Sequence, residues 1–235
     1  MVGSAASAAL RAVLFDWGGT LVSFEWDEAL LAAGHEAGLA AIGRAGEAAA
    51  FTERFRSELL PGLGPADDYA ALLGRELEVG DEEVARFLRA EHDAWRPATS
   101  LLASAHALLE SLRAAGLKLA IVANHWPEPA WVVREEIAEL GVLERVDAVV
   151  LSGEGGARKP EPAIFEQALE VLDVEPFEAM FVGDRLEADV GGAGRLGLIT
   201  VQALWFRADD GPGREPDFLA FTPMDVLTAV RRLPV

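Results

Sequence analysis

Asp16, Asp184 and Lys159 are residues of this 235-residue chain whose types and positions could do chemistry together. Asp16 ends the apolar run "RAVLFD" and is followed by "WGGT", so a carboxylate stands at the tip of a strand just before a tight turn. Many α/β enzymes present a reactive group in this way, and ordinary strands also end so. Asp184 closes a second such run, "AMFVGD", while Asn124 and His125 close a third, "LKLAIVANH". Lys159 lies in the loop beyond a further run, "RVDAVVL". One strand-end aspartate alone is more often a turn residue than a catalyst. Two carboxylates and a lysine from distant segments, at corresponding ends of one sheet, make a shared site the better reading, because those ends form the usual ligand crevice of such sheets.

The elements that must position them follow from hydrophobic pattern. Short apolar runs at 11–16, 117–123, 146–151, 179–183 and 197–201 predict buried parallel strands, and helical spacing at 100–115, 129–140 and 162–172 separates most of them. This alternation predicts an α/β fold with a doubly wound parallel sheet. Residues 22–98 break the rhythm. They read as several helices, with "LLPGLGPADDY" as a turn in the middle and "WRPATS" as the exit, and their alanine-rich, amphipathic character suits a small α-helical cap domain. The expected organisation is a core of residues 1–21 and 99–235 with a cap of 22–98 inserted. The stretch 207–218, "RADDGPGREPDF", reads as a turn-rich loop, followed by an edge strand and a terminal helix in "FLAFTPMDVLTAVRRL".

Composition bounds the functions available. Hydrophobic residues make up 51% of the chain, yet no apolar run is long enough to cross a bilayer. The start "MVGSAASAALRAVLF" lacks the charged beginning and long apolar centre of a secretory signal, so the expectation is a soluble, cytoplasmic protein. The absence of cysteine excludes a disulfide framework, thiol catalysis and zinc–thiolate sites. Formal net charge is -19, and the 20 basic residues comprise 18 arginines and two lysines, Lys118 and Lys159. That acidity disfavours nucleic acid and anionic membranes as partners. A small anion remains possible, since local dipoles and a metal can reverse the field inside one pocket.

Taken in order, "FDWGGTL", "LAIVANHW", "ARKPEPAIF" and "FVGDRLEADVGGAGRLG" resemble the four motifs of the haloacid dehalogenase-like (HAD) hydrolase superfamily, with a helical cap between the first two. The resemblance spans nearly the whole chain and is most specific in the fourth motif. It implies Asp16 as the nucleophile of a covalent aspartyl intermediate that water later cleaves. It implies Mg²⁺ held by Asp16, Asp184 and the backbone carbonyl of Gly18, with Asp189 reaching the ion through water or orienting its shell. Lys159 would balance Asp16 and bind a phosphoryl oxygen as a point charge. Gly19 would supply the turn, Thr20 a hydroxyl, and Asn124 a donor to the transferring group.

Two positions depart from the family pattern. A phosphatase of this family usually carries a second aspartate two residues after the nucleophile as general acid and base, and here that residue is Gly18. The second motif has Ala123 where a serine or threonine is usual. The first reading is therefore a Mg²⁺-dependent hydrolase of a small phosphorylated compound, with the missing acid replaced by His125, Glu25 or His35, or by the substrate itself. Carbon-centred chemistry of the dehalogenase type is a second reading. Its phosphonatase relative needs a cap lysine, and residues 22–98 contain none. A third is a catalytically weak metal-binding protein with an interaction role. Cap aromatics near the hinges, among them Phe24, Trp26 and Trp95, could line a pocket or pack within the molecule, as could Trp17 and Trp126 beside the loops. The assembly expected is a monomer or a homodimer.

Overall fold

The computed structural model describes residues 9–64, 68–125, 127, 129–154, 156–209 and 211–234; Trp126 lies outside them. The chain forms two compact units: Met1–Ser23, Leu101–Asn124 and Ile137–Val235 in the first, Phe24–Ser100 and His125–Glu136 in the second. Relative to the boundaries expected from sequence, the second unit takes in His125–Glu136 as well.

In chain order the strands are β1 (Ala12–Phe15), β2 (Val22–Phe24), β3 (Thr99–Leu101), β4 (Lys118–Ala123), β5 (Ala148–Leu151), β6 (Ala179–Gly183), β7 (Ile199–Ala203) and β8 (Phe218–Ala220). Six of them make the sheet of the first unit, in the order β5-β4-β1-β6-β7-β8, with every neighbouring pair parallel. The chain runs outward from β1 to β4 and β5 on one side and to β6, β7 and β8 on the other. β1 therefore lies at the topological switch point, where ligands of open α/β sheets bind. The short strands β2 and β3 pair separately.

The helices are α1 (Glu28–Ala41), α2 (Ala48–Arg54), α3 (Tyr69–Leu77), α4 (Asp81–Trp95), α5 (Ala105–Ala114), α6 (Ala130–Glu139), α7 (Pro162–Leu172), α8 (Gly192–Leu196) and α9 (Pro223–Arg231). On one face of the sheet Ala12, Leu14, Ala120, Val122 and Phe181 pack with Ile164, Phe165, Ala168 and Leu169 of α7. The alternate residues Val13, Phe15, Leu119, Ile121, Met180 and Val182 are fully buried too. Burial on both faces explains why these strands read as continuous apolar runs rather than alternating ones. Phe165 and Phe181 meet edge to face, with ring centroids 5.1 Å apart. Phe165→Ala would leave a cavity beneath the sheet centre and cost about 3–5 kcal/mol of unfolding free energy, measurable by denaturant titration.

The second unit has its own core, in which Leu31, Leu39, Phe51, Phe55, Tyr69, Leu73, Phe87 and Leu88 cluster with Val132. Asp27 and Asp68 cap α1 and α3 by accepting from the amides of Ala29 and Ala71, each at 3.0 Å. His35 sits inside this core. It is wholly buried, its Nδ1 lies 2.9 Å from the Thr52 hydroxyl, and the rings of Phe51 and Phe55 stand 4.8 and 4.9 Å away. Burial lowers its pKa to about 4, so the imidazole is neutral. The expectation that His35 could replace a missing acid is corrected: a fully enclosed ring on the inner face of α1 is a packing residue. Trp95 is likewise packed within the unit and donates from Nε1 to the Leu30 carbonyl at 2.8 Å, whereas Phe24 and Trp26 are exposed.

Candidate active site

Phe15, the last residue of β1, is in register with Ile121 of β4 and Val182 of β6. The loops that begin near Asp16, Asn124 and Asp184 therefore leave one edge of the sheet together. Asp16 is fixed there by its amide, which donates to the Val182 carbonyl at 2.9 Å. The turn after it is closed by the Trp17 carbonyl, which accepts from the amides of Leu21 and Val22 at 2.8 and 3.0 Å. Gly19 occupies this turn at φ +85, and a Cβ there would lie 2.5 Å from Asp184 Oδ2. Glycine is thus required on both conformational and steric grounds. Gly18 differs: it is exposed, its φ is not positive, and an added Cβ would meet nothing within 4 Å.

Lys159 joins the segments. Its Nζ lies 2.5 Å from Asp16 Oδ1 and 2.7 Å from Asp189 Oδ1, with all three residues buried. The ammonium also packs over the Phe181 ring, 5.4 Å from its centroid. Asn124 holds the lysine in place through a reciprocal pair: its Oδ1 accepts from the Lys159 amide and its Nδ2 donates to the Lys159 carbonyl, both at 2.8 Å. The structure thus shows Asn124 fixing the lysine loop, a task different from the substrate contact expected of it.

Asp189 comes within reach because Leu186–Gly191 forms a wide helical turn, and its Oδ2 accepts from the Arg185 amide at 3.0 Å. Asp16, Asp184 and Asp189 each offer a buried carboxylate oxygen, all within 4.8 Å of one another. Such crowding has an electrostatic consequence. Burial pushes the Asp16 and Asp189 carboxyls upward against the pull of Lys159, Asp189 to about 6. Burial works the other way on Lys159, but Asp16 and Asp189 outweigh it and hold the ammonium above its usual value. A carboxyl whose pKa is raised by folding gives stability at low pH that is lost as pH rises through its folded value. In metal-free protein the Asp189 contribution therefore falls between about pH 4 and pH 6. Denaturant titrations across that range should show a smaller fall in Asp189→Asn than in the parent, the remainder coming from Asp16.

Asp184 Oδ1 and the Thr20 hydroxyl are buried with no hydrogen-bond partner among the described residues. A buried carboxylate oxygen left without a donor is costly unless a ligand satisfies it. The donor set is all oxygen and carries three carboxylates, which suits a hard divalent cation such as Mg²⁺. Thr20 is anchored separately by its carbonyl, which accepts from Trp205 Nε1 at 2.8 Å. Glu25 is exposed and its amide donates to the Ala98 carbonyl at 3.0 Å; Glu25 and the half-buried His125 both belong to the second unit.

Arg207 was not expected here. Its Nε donates to Asp184 Oδ2, and it comes from the loop after β7, read from sequence as a turn-rich connection. The available signal was topological: that loop leaves the same sheet edge as the others.

A doubly wound sheet with a lysine-bridged acidic cluster at its switch point defines an α/β protein with a charged candidate site at the strand ends. The haloacid dehalogenase-like hydrolase family model matches residues 10–197, and the chain belongs to that family. It is 38% identical over 129 residues to the glyceraldehyde 3-phosphate phosphatase of Methanopyrus kandleri, covering 53% of this chain and 54% of that protein. It is 37% identical over 121 residues to the phosphoserine phosphatase of Thermus thermophilus, covering 50% of this chain and 46% of the other. The chain thus spans about half the length of these curated relatives. Among solved structures, a HAD phosphatase from Thermococcus onnurineus superposes with a TM-score of 0.66 at 28% identity, over 96% of this chain and 100% of that one. No helix among the described residues is long and apolar enough to cross a membrane.

Proposed function

We propose that the protein is a Mg²⁺-dependent phosphatase of small phosphorylated metabolites that works through an aspartyl-phosphate on Asp16. The observation that carries this reading is the buried triad of carboxylates, two of them bridged by Lys159, with one Asp184 oxygen unpartnered among the described residues. The phosphatase names of the relatives support it. An Asp16 oxygen attacks phosphorus, the ester P–O bond breaks, and the leaving oxygen takes up a proton. Water then attacks the acyl phosphate, releasing inorganic phosphate and restoring the carboxylate. Lys159 neutralises Asp16 and offers its ammonium to a phosphoryl oxygen. Thr20 contributes its hydroxyl, unpartnered among the described residues, to the same group. Asp16, Asp184, the Gly18 carbonyl and Asp189 would hold Mg²⁺, which would offset the repulsion between anionic substrate and anionic nucleophile. Gly18 cannot move the proton, so it comes from His125, from Glu25 or from the substrate.

A panel of phosphomonoesters assayed with Mg²⁺, with chelator, and with Asp16→Asn tests the reading. Turnover that needs both the ion and Asp16 is expected; turnover indifferent to either would overturn it. Gly18 and Ala123, which offer no polar side chain, favour a second reading, a metal-binding protein with little catalysis. Mg²⁺ uptake without turnover of any ester would be its signature. Release of halide from a 2-haloacid without metal would point instead to the dehalogenase type.

A further inference from the structure

Three carboxylates share this site, and two cations pair with them. Lys159 serves Asp16 and Asp189. Arg207 serves Asp184, and the reaction above gives it no role. Its position is built. The Asp209 carboxylate, two residues on, accepts from the amides of Leu186 and Gly211 at 2.9 and 3.0 Å. Gln202 at the end of β7 donates from Nε2 to the Asp209 carbonyl at 2.8 Å. The Leu186 bond ties the loop to the segment that carries Asp189 and the Gln202 bond ties it to β7, so the guanidinium arrives from an anchored base.

Its placement is asymmetric. The Asp184 side chain is fully buried, while that of Arg207 is 50% exposed. Only Nε of the guanidinium is engaged among the described residues. The fork lies against the turn beside the nucleophile: a Cβ on Gly19 would come within 3.1 Å of Arg207 Nη2. A cation beside a carboxylate that is to ligate a divalent ion opposes that ion by Coulomb repulsion. The Nη groups, unengaged among the described residues, in contrast present the planar donor pair that matches a phosphate or carboxylate.

We propose that Arg207 is an exchangeable counter-ion: it neutralises Asp184 in the ion-free site, yields that carboxylate to the divalent metal, and then binds the anionic group of the substrate. The inference rests on the phosphatase reading and assigns that site a further substrate-binding residue, together with a coupling between metal and anion.

The test uses the parent protein, Arg207→Gln and Arg207→Lys, each confirmed folded by its melting transition. Mn²⁺ binding is followed by electron paramagnetic resonance, and inorganic phosphate binding by calorimetry with and without Mg²⁺. Loss of the half-exposed charge in Arg207→Gln should tighten Mn²⁺ binding about three- to tenfold. The same change should weaken phosphate binding to the Mg²⁺-loaded protein about tenfold, because a charged donor pair is lost. Arg207→Lys keeps the charge and loses the fork, so its Mn²⁺ affinity stays near the parent's while its phosphate affinity falls between the other two. Equal or weaker Mn²⁺ binding by Arg207→Gln, or phosphate binding that is unchanged in both variants, overturns this inference alone. If Arg207→Gln does not fold, Arg207→Lys decides through its phosphate affinity. A parent protein that takes up no divalent ion overturns the proposed function and this inference with it.

Discussion

Asp16→Asn should lower phosphatase turnover by about 10⁴-fold or more, the loss typical when a covalent nucleophile is removed. The amide is nearly the same size, and the backbone bond to Val182 that fixes residue 16 does not involve the side chain. What changes is chemical: the amide oxygen is a poor nucleophile and carries no charge for Lys159 to balance. The lysine retains Asp189 at 2.7 Å, so the variant is not left with an unpaired buried ammonium. Rates with an aryl phosphate and saturating Mg²⁺ measure the effect. Quenched samples analysed by mass spectrometry should show a phosphorylated peptide containing residue 16 in the parent and none in the variant. A variant that keeps more than about a hundredth of parental turnover would exclude covalent catalysis by Asp16.

The parts of this site that could be read from sequence are those fixed by local pattern. Five core strands were visible as apolar runs because both faces of a parallel sheet are buried, and the residue at each run's end falls at the same sheet edge by topology. Asp16 and Asp184 followed from this, Lys159 from its place in the loop beyond such a run, and Asp189 from the family resemblance alone. Partners that depend on tertiary approach did not. Asn124 was legible as a strand-end polar residue, but its double bond to the Lys159 main chain depends on two loops meeting. Arg207 lay in a Gly- and Pro-rich stretch with no periodicity to place it. His35 carries no mark of whether its face of α1 turns inward, and it proves to be enclosed by phenylalanines. The helical spacing at 129–140 showed α6 but not which core takes its apolar face. Val132 belongs to the core of the second unit, and Trp131 lies beneath Arg89 of α4, with the guanidinium carbon 4.5 Å from a ring centroid.

Gly18→Asp should raise turnover by about 10²- to 10⁴-fold on alkyl phosphates, the gain associated with a positioned general acid and base. The backbone permits it: φ at Gly18 is not positive, and a Cβ there has open space. This separates Gly18 from its neighbour, since at Gly19 any side chain would collide with Asp184. The gain must depend on the leaving group. An alkoxide needs a proton as the P–O bond breaks, whereas a nitrophenolate leaves without one, so the ratio of variant to parent should grow as the leaving group becomes more basic. The parent should therefore discriminate steeply against alkyl esters, and the variant should flatten that dependence. The variant's pH–rate profile should also gain a limb from the new carboxyl. Equal gains on aryl and alkyl esters would mean that the aspartate acts through charge at the metal site instead. No gain on either, with the fold and Mg²⁺ binding intact, would mean that the proton already has a competent donor, and Ala substitution of His125 and of Glu25 would then identify it.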